Sequence, residues 1–269
     1  ALETAGVAVD DVDCILCASW LPEDFVAPGN AVYLARELGT RAPAFNVETA
    51  CSSGLAALEL AEGLLAVGRH RRILVVLSNT VSRQADEANT LSWIASDVAA
   101  AVVLEGSSAG SDILGSAIEN TADSAGVFVH RIEPDGLGSA RVRMAVGERG
   151  SKALRASNGP DQVRRICGRA LERAGTTMDQ IRFFGCSTPL AWFAELCRDA
   201  MDARPDQMND LFPRLGNVGL PFPVVHLHHA LHEGRLKPGE LGLLYTIGST
   251  SSAGAMVVRA GDWQLAPHP

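Results

Sequence analysis

The chain is 269 residues long, 47% hydrophobic and 20% charged, with a formal net charge of −8. That composition supports a buried core and excludes a disordered chain, and the acidic balance argues against a nucleic-acid-binding face. No apolar run reaches the ~18 residues of a bilayer-crossing helix. No secretory leader opens the chain and six cysteines are too few for a disulfide scaffold, so a soluble cytoplasmic α/β protein without membrane or nucleic-acid partners is expected.

The opening Leu2-Glu3-Thr4-Ala5-Gly6 reads as a helix end with a glycine stop, followed by Asp10 and a strand over residues 12–17. Cys14 and Cys17 have CxxC spacing, but they lie on that strand and no second pair completes a zinc site, so core packing is expected. A strand at 44–49 runs directly into Ala50-Cys51-Ser52-Ser53-Gly54. Residues 53–67 are apolar around the whole circumference, which predicts a helix buried on all sides. Strands at 73–77 and 98–104 follow.

From Leu171 the opening pattern returns as Leu171-Glu172-Arg173-Ala174-Gly175, then Asp179, then a strand over 181–186, at a constant offset of 169. Gly68-Arg69 before strand 73–77 is matched by Gly234-Arg235 before a strand at 241–245, now at an offset of 166. A closing strand is expected around 256–259. Ordered landmarks at nearly one offset predict two βαβ-type halves, 1–120 and 151–269, joined by a connecting insertion at 121–150. They should stack as helix, sheet, helix, sheet and helix.

The offset of 166 carries Cys51 onto Asn217, each near the start of a buried helix. A strand-to-helix elbow points the Cys51 side chain into a cleft. The unpaired N–H groups and positive end of the helix favour the thiolate that a nucleophile needs. In the second half, Pro221 and Pro223 suit a first helical turn, which lines up Phe222, Val225, His226, His229 and His232 on one face. His228 and His232 form a candidate metal pair with no convincing third ligand besides Glu233, so no metal site is expected. Asp97 is read as the brace of a turn, and Cys186 as core packing.

Residues Glu48-Thr49-Ala50-Cys51-Ser52-Ser53-Gly54-Leu55-Ala56-Ala57-Leu58 resemble the nucleophile elbow of the thiolase fold, and more narrowly that of the ketoacyl-ACP synthase III family. The resemblance continues through Ser96-Asp97-Val98-Ala99, Gly216-Asn217, Gly234-Arg235-Leu236-Lys237-Pro238-Gly239, and Gly248 to Gly254. It implies an α/β, thiolase-like, five-layer αβαβα fold built from two pseudo-twofold halves, with the family's first strand and helix absent before Ala1. It also implies a homodimer pairing through strand 73–77. Cys51 becomes the nucleophile, Asn217 positions the acyl carbonyl, and Gly248 and Ser249 lie in the loop that supplies one oxyanion N–H, the other being that of Cys51.

One departure stands out. Family ketosynthases carry a histidine where this chain has Ser187, 30 residues before Asn217. A serine cannot act as a base near neutral pH, which argues against ordinary chain-elongating condensation. The stretch from Gly216 to Ala230 is similar to a subgroup of ketosynthase-III-like acyltransferases and starter-unit enzymes of polyketide pathways. That similarity implies a Cys-His-Asp triad with His229 as base and Asp262 as its orienting acid. His130, in the insertion, is a reserve base or substrate contact, and Trp93 and Phe222 are candidate gates of a tunnel.

The expected function is acyl transfer: Cys51 takes an acyl group from acyl-CoA or an acyl carrier protein and passes it to a small-molecule acceptor. Coenzyme A or phosphopantetheine thioesters are substrates, and no permanent cofactor is required. The alternatives are a starter-unit β-ketoacyl-ACP synthase III using malonyl-ACP, and a non-catalytic thiolase-fold dimer partner.

Overall fold

The computed structural model describes residues 1–19, 29–83, 91–108, 110–134, 140–146, 159–247 and 251–267. Besides short helices at Leu91–Ile94 and Phe212–Leu215 and the 3₁₀ turns, the elements up to residue 105 are α1 (Leu2–Ala5), β1 (Cys14–Ser19), α2 (Asn30–Leu38), β2 (Ala44–Asn46), α3 (Ser53–Ala66), β3 (Arg72–Asn79) and β4 (Val98–Glu105). There follow β5 (Ile113–Asn120), β6 (Phe128–Pro134), β7 (Ala140–Val146), α4 (Pro160–Arg173), β8 (Ile181–Cys186) and α5 (Phe193–Ala200). The last are β9 (Met208–Asn209), α6 (Phe222–His232), β10 (Leu241–Thr246) and β11 (Ser252–Arg259).

The internal repeat is physical. Gly6 and Gly175 follow α1 and α4 in the left-handed region, at φ +62° and +64°, where glycine pays no Cβ penalty. Single 3₁₀ turns at Val9–Asp11 and Met178–Gln180 then lead into β1 and β8. The sheets run β2-β1-β3-β4 and β9-β8-β10-β11, with β5 added beyond β11. In each, the first three strands are parallel and the fourth is antiparallel. Among the described residues β5 has no counterpart beside β4.

Two expectations change. Residues 113–120, assigned by sequence to the first half, pair with β11 along nearly their whole length, so the halves divide after Glu105 rather than at 120. The turn signals there gave no indication of which sheet the strand would join. Strand 73–77 lies within β3, hydrogen-bonded to β1 on one side and β4 on the other, and so has no open edge with which to pair two copies. The insertion carries β6 and β7 as an antiparallel ribbon.

Five layers result. The central helix α3 buries Ser53 to Leu58 and Ala61 between the sheets, as its all-round apolarity requires, with Phe222 and Ala230 of α6 in the same core. On one outer face, Ala35 of α2 packs with Ile15 and Leu74. On the other, Val163, Ile166 and Ala170 of α4 and Phe193 of α5 cover Phe184, Leu243 and Val257. Each fully buried Ile, Leu or Phe contributes roughly 1.5–3 kcal/mol. Among the described residues no helix is long and apolar enough to cross a membrane.

Candidate active site

The chain enters α3 through a 3₁₀ turn, Ala50–Ser52, that holds Cys51. Ala50 stands at φ +53°, a left-handed conformation that costs a non-glycine residue roughly 1–2 kcal/mol. Local bonds hold it there: the Ala50 N–H donates to Glu48 Oε1 (2.7 Å), and the Ser53 hydroxyl donates to the Ala50 carbonyl (2.7 Å) while accepting the Thr49 N–H (2.8 Å). Of the six cysteines only Cys51 is not buried. Burial pushes the Cys17 thiol up to about 11 and raises Cys167 and Cys197 well above the ordinary thiol value. Access therefore separates Cys51 from the other five, and Cys14, Cys17 and Cys186 pack in strands β1 and β8 as their positions predict.

Asn217 is delivered from the second half into the first. Its N–H donates to the Ile94 carbonyl (2.6 Å), and its own carbonyl accepts the Ser96 N–H (3.0 Å). The flanking Gly216 and Gly219 have φ +63° and +62°, and a Cβ on either would lie 2.7 Å from Ile94 O or from the Asn79 side chain. The Gly219 N–H donates to Asn217 Oδ1 (3.0 Å), which turns the amide so that Nδ2 is its other face.

Ser187, at the end of β8, is buried, and its Oγ accepts the Ile247 N–H at 3.2 Å. Next to it, Thr188 Oγ1 donates to the Gly216 carbonyl (2.8 Å) and accepts the Val218 N–H (3.3 Å), gripping both sides of Asn217. Thr246 Oγ1 donates to the Cys51 carbonyl at 3.3 Å. Contacts at Cys51 and around Asn217 thus both cross the junction of the halves, Thr246 reaching Cys51 and Asn217 reaching Ile94 and Ser96. A cavity of about 550 Å³ opens beside Asn217, lined by Trp93, Ile94, Ser96, Phe212, Arg214 and Gly216. Trp93 is 74% exposed there, whereas Phe222 is completely buried in the core.

The expected triad is redrawn. His229 is buried seven residues into α6, about 10 Å along its axis from Phe222. Asp262 is exposed beyond β11; the carboxylate beside His229 is that of Glu233, with Oε1 3.8 Å from Nδ1. The i,i+4 spacing of 229 and 233 was the available signal for this pair. Arg214, a cavity-lining residue, binds Glu233 at 2.6 Å and holds its carboxyl below the usual range. The His228 and His232 rings lie 4.4 Å apart, His232 Nε2 is 2.8 Å from Ala266 O, and no metal-holding group occurs among the described residues. Asp97 braces the turn at Ser82 as expected, its Oδ1 accepting the Ser82 N–H at 2.9 Å. Gly248, Ser249 and the side chain of His130 lie outside the described residues.

His226 is fully buried against Phe183 and Phe222. Burial, reinforced by the charges of His229 and Arg235, lowers its pKa from 6.5 to about 3. The unfolded chain therefore takes up this proton first as pH falls. The stability that His226 contributes is complete above about pH 6.5 and drops by about 1.4 kcal/mol per pH unit below it, until about pH 3. Urea midpoints measured from about pH 7 down to about pH 5 should fall accordingly, and His226→Leu should flatten that slope; an unchanged slope would refute the assignment.

The profile of the 3-oxoacyl-[acyl-carrier-protein (ACP)] synthase III family matches residues 45–122, and that of its C-terminal part matches residues 171–260. The chain belongs to the 3-oxoacyl-ACP synthase III family. It is 26% identical to the β-ketoacyl-ACP synthase III of Rhodopirellula baltica, over 96% of this chain and 81% of that protein. It is also 26% identical to the 2-heptyl-4(1H)-quinolone synthase subunit PqsC of Pseudomonas aeruginosa, over 89% of this chain and 74% of that protein. A solved synthase III of Thermus thermophilus superposes with a TM-score of 0.84 at 20% identity, covering 97% of this chain and 81% of that one. The fold is the thiolase fold. Synthase III family members are acyl-transferring or condensing enzymes that use acyl thioesters without a permanent cofactor.

Proposed function

We propose that this synthase III homologue is an acyltransferase. The Cys51 thiolate attacks the carbonyl of a coenzyme A or carrier-protein thioester, the bond to the donor sulfur breaks, the donor leaves as its thiolate, and the acyl group stays on Cys51. Asn217 Nδ2 positions the acyl carbonyl, and the Cys51 N–H, with a second amide from the Gly248–Ser249 loop, receives the oxyanion. An acceptor hydroxyl or amine then attacks the acyl-cysteine. Its proton passes to His229, beside Glu233, and Cys51 leaves as thiolate. A homodimer and an acyl carrier protein are the proposed partners.

The observation that carries this reading is that, of the six cysteines, only Cys51 is not buried, and it sits on a strained elbow at the junction of the halves; the resemblance puts Ser187 where a condensing enzyme keeps its histidine. Condensation with malonyl-ACP is the competing outcome, because it shares the loading step. Supplying loaded enzyme with malonyl-ACP labelled in its free carboxylate should release no labelled carbon dioxide, while transfer to a nucleophilic acceptor proceeds. Stoichiometric release of label would establish condensation instead. His229→Ala is expected to load normally and to lose transfer; unimpaired transfer would remove His229 from the mechanism.

A further inference from the structure

Buried hydroxyls cluster where the two halves meet, and a buried hydroxyl is costly unless bonded. Ser52 is fully buried and its Oγ lies 2.5 Å from that of Ser252, the first residue of β11 and 200 positions away. The same Ser52 hydroxyl lies 2.8 Å from the Thr49 carbonyl and 3.0 Å from Thr49 Oγ1. Thr246, fully buried at the end of β10, reaches the Cys51 carbonyl, and Ser187 takes the Ile247 N–H. The Cys51 carbonyl and the Ser52 side chain that follows it are thus pinned to the neighbouring ends of two strands in the other half. The sole function of these side chains cannot be to fill space, since alanine or valine would fill it without needing partners.

We infer that Ser52, Ser252 and Thr246 form a hydroxyl seam that sets the aim of Cys51, and that Ser187 extends the seam through the Ile247 amide. Ser187 is then a positioning residue, working through backbone at the end of β8. This rests on the reading of Cys51 as nucleophile, but its test need not use an acyl substrate. Iodoacetamide alkylation reports the thiolate directly, and the other five cysteines are buried.

The full chain is alkylated across a pH series and, separately, loaded from an acyl-CoA panel followed by intact mass. Ser52→Ala and Ser252→Ala should each slow alkylation and loading about tenfold and move the alkylation midpoint, since a displacement near 1 Å is enough for such a loss. The double variant should be no slower than either single one, because both remove the same bond. Thr246→Val, nearly isosteric, should move the midpoint in the same direction, and serves if a serine variant fails to fold. Tyr245→Phe removes a buried hydroxyl bonded to Gln162 at 3.3 Å in the same strand and should leave alkylation unchanged.

The seam is refuted if the variants melt earlier yet alkylate with the wild-type rate and midpoint, or if the two serine effects add. A wild type that no donor loads, but whose alkylation responds as described, sinks the acyl reading and leaves the seam standing.

Discussion

Replacing Cys51 by alanine is expected to abolish acyl loading, with a loss on the order of 10⁴-fold or more, as for other covalent nucleophiles. Wild-type protein incubated with an acyl-CoA panel should gain the mass of one acyl group, and Cys51→Ala should gain none. The expectation is sharp because the other thiols are buried and, for Cys17, Cys167 and Cys197, held protonated by that burial. An adduct on Cys51→Ala would mean that another nucleophile is used. No adduct on the wild type with any donor would favour a non-catalytic role for this chain.

Gly54→Ala should be among the most damaging small substitutions in the molecule. A Cβ there would stand 2.1 Å from the Leu220 carbonyl oxygen and 3.1 Å from Cδ and Cγ of Pro223. Neither backbone can yield without moving α3 and α6 apart. Overpacking typically costs 1–3 kcal/mol, and a collision with backbone belongs at or above the top, about 3 kcal/mol or more. Alanine's helix propensity returns only about 1 kcal/mol, so the collision wins. Gly63, in the same helix, has nothing within 4 Å of its would-be Cβ, and Gly63→Ala should stabilise by roughly 0.5–1 kcal/mol. Denaturant titration of both variants checks the pair; equal effects would contradict the packing described.

The sequence carried the repeat because both copies need the same turn chemistry: a left-handed glycine, a short polar turn and a buried strand. The elbow was legible for a related reason, since small residues flank Cys51 where α3 and α6 start in contact. Gly216 and Gly219 could be matched to the family, but their obligation comes from Ile94 and Asn79, residues more than a hundred positions away. The same distance hid the Ser52–Ser252 bond. Local patterns cannot show contacts made across the halves. The full burial of Phe222 and the closeness of Glu233 to His229 were hidden for one reason: helical spacing and family position fix neither burial nor neighbours.

The attachment of Asn217 to Ile94 and Ser96 has a consequence for durability. The thiol belongs to one half and its amide companion to the other, and the companion is fastened by backbone bonds to the half it does not come from. If Cys51 and Asn217 work together as proposed, any loosening of the junction disassembles their pairing while both sheets are still intact. On gentle heating or dilute denaturant, turnover should vanish before helical signal does.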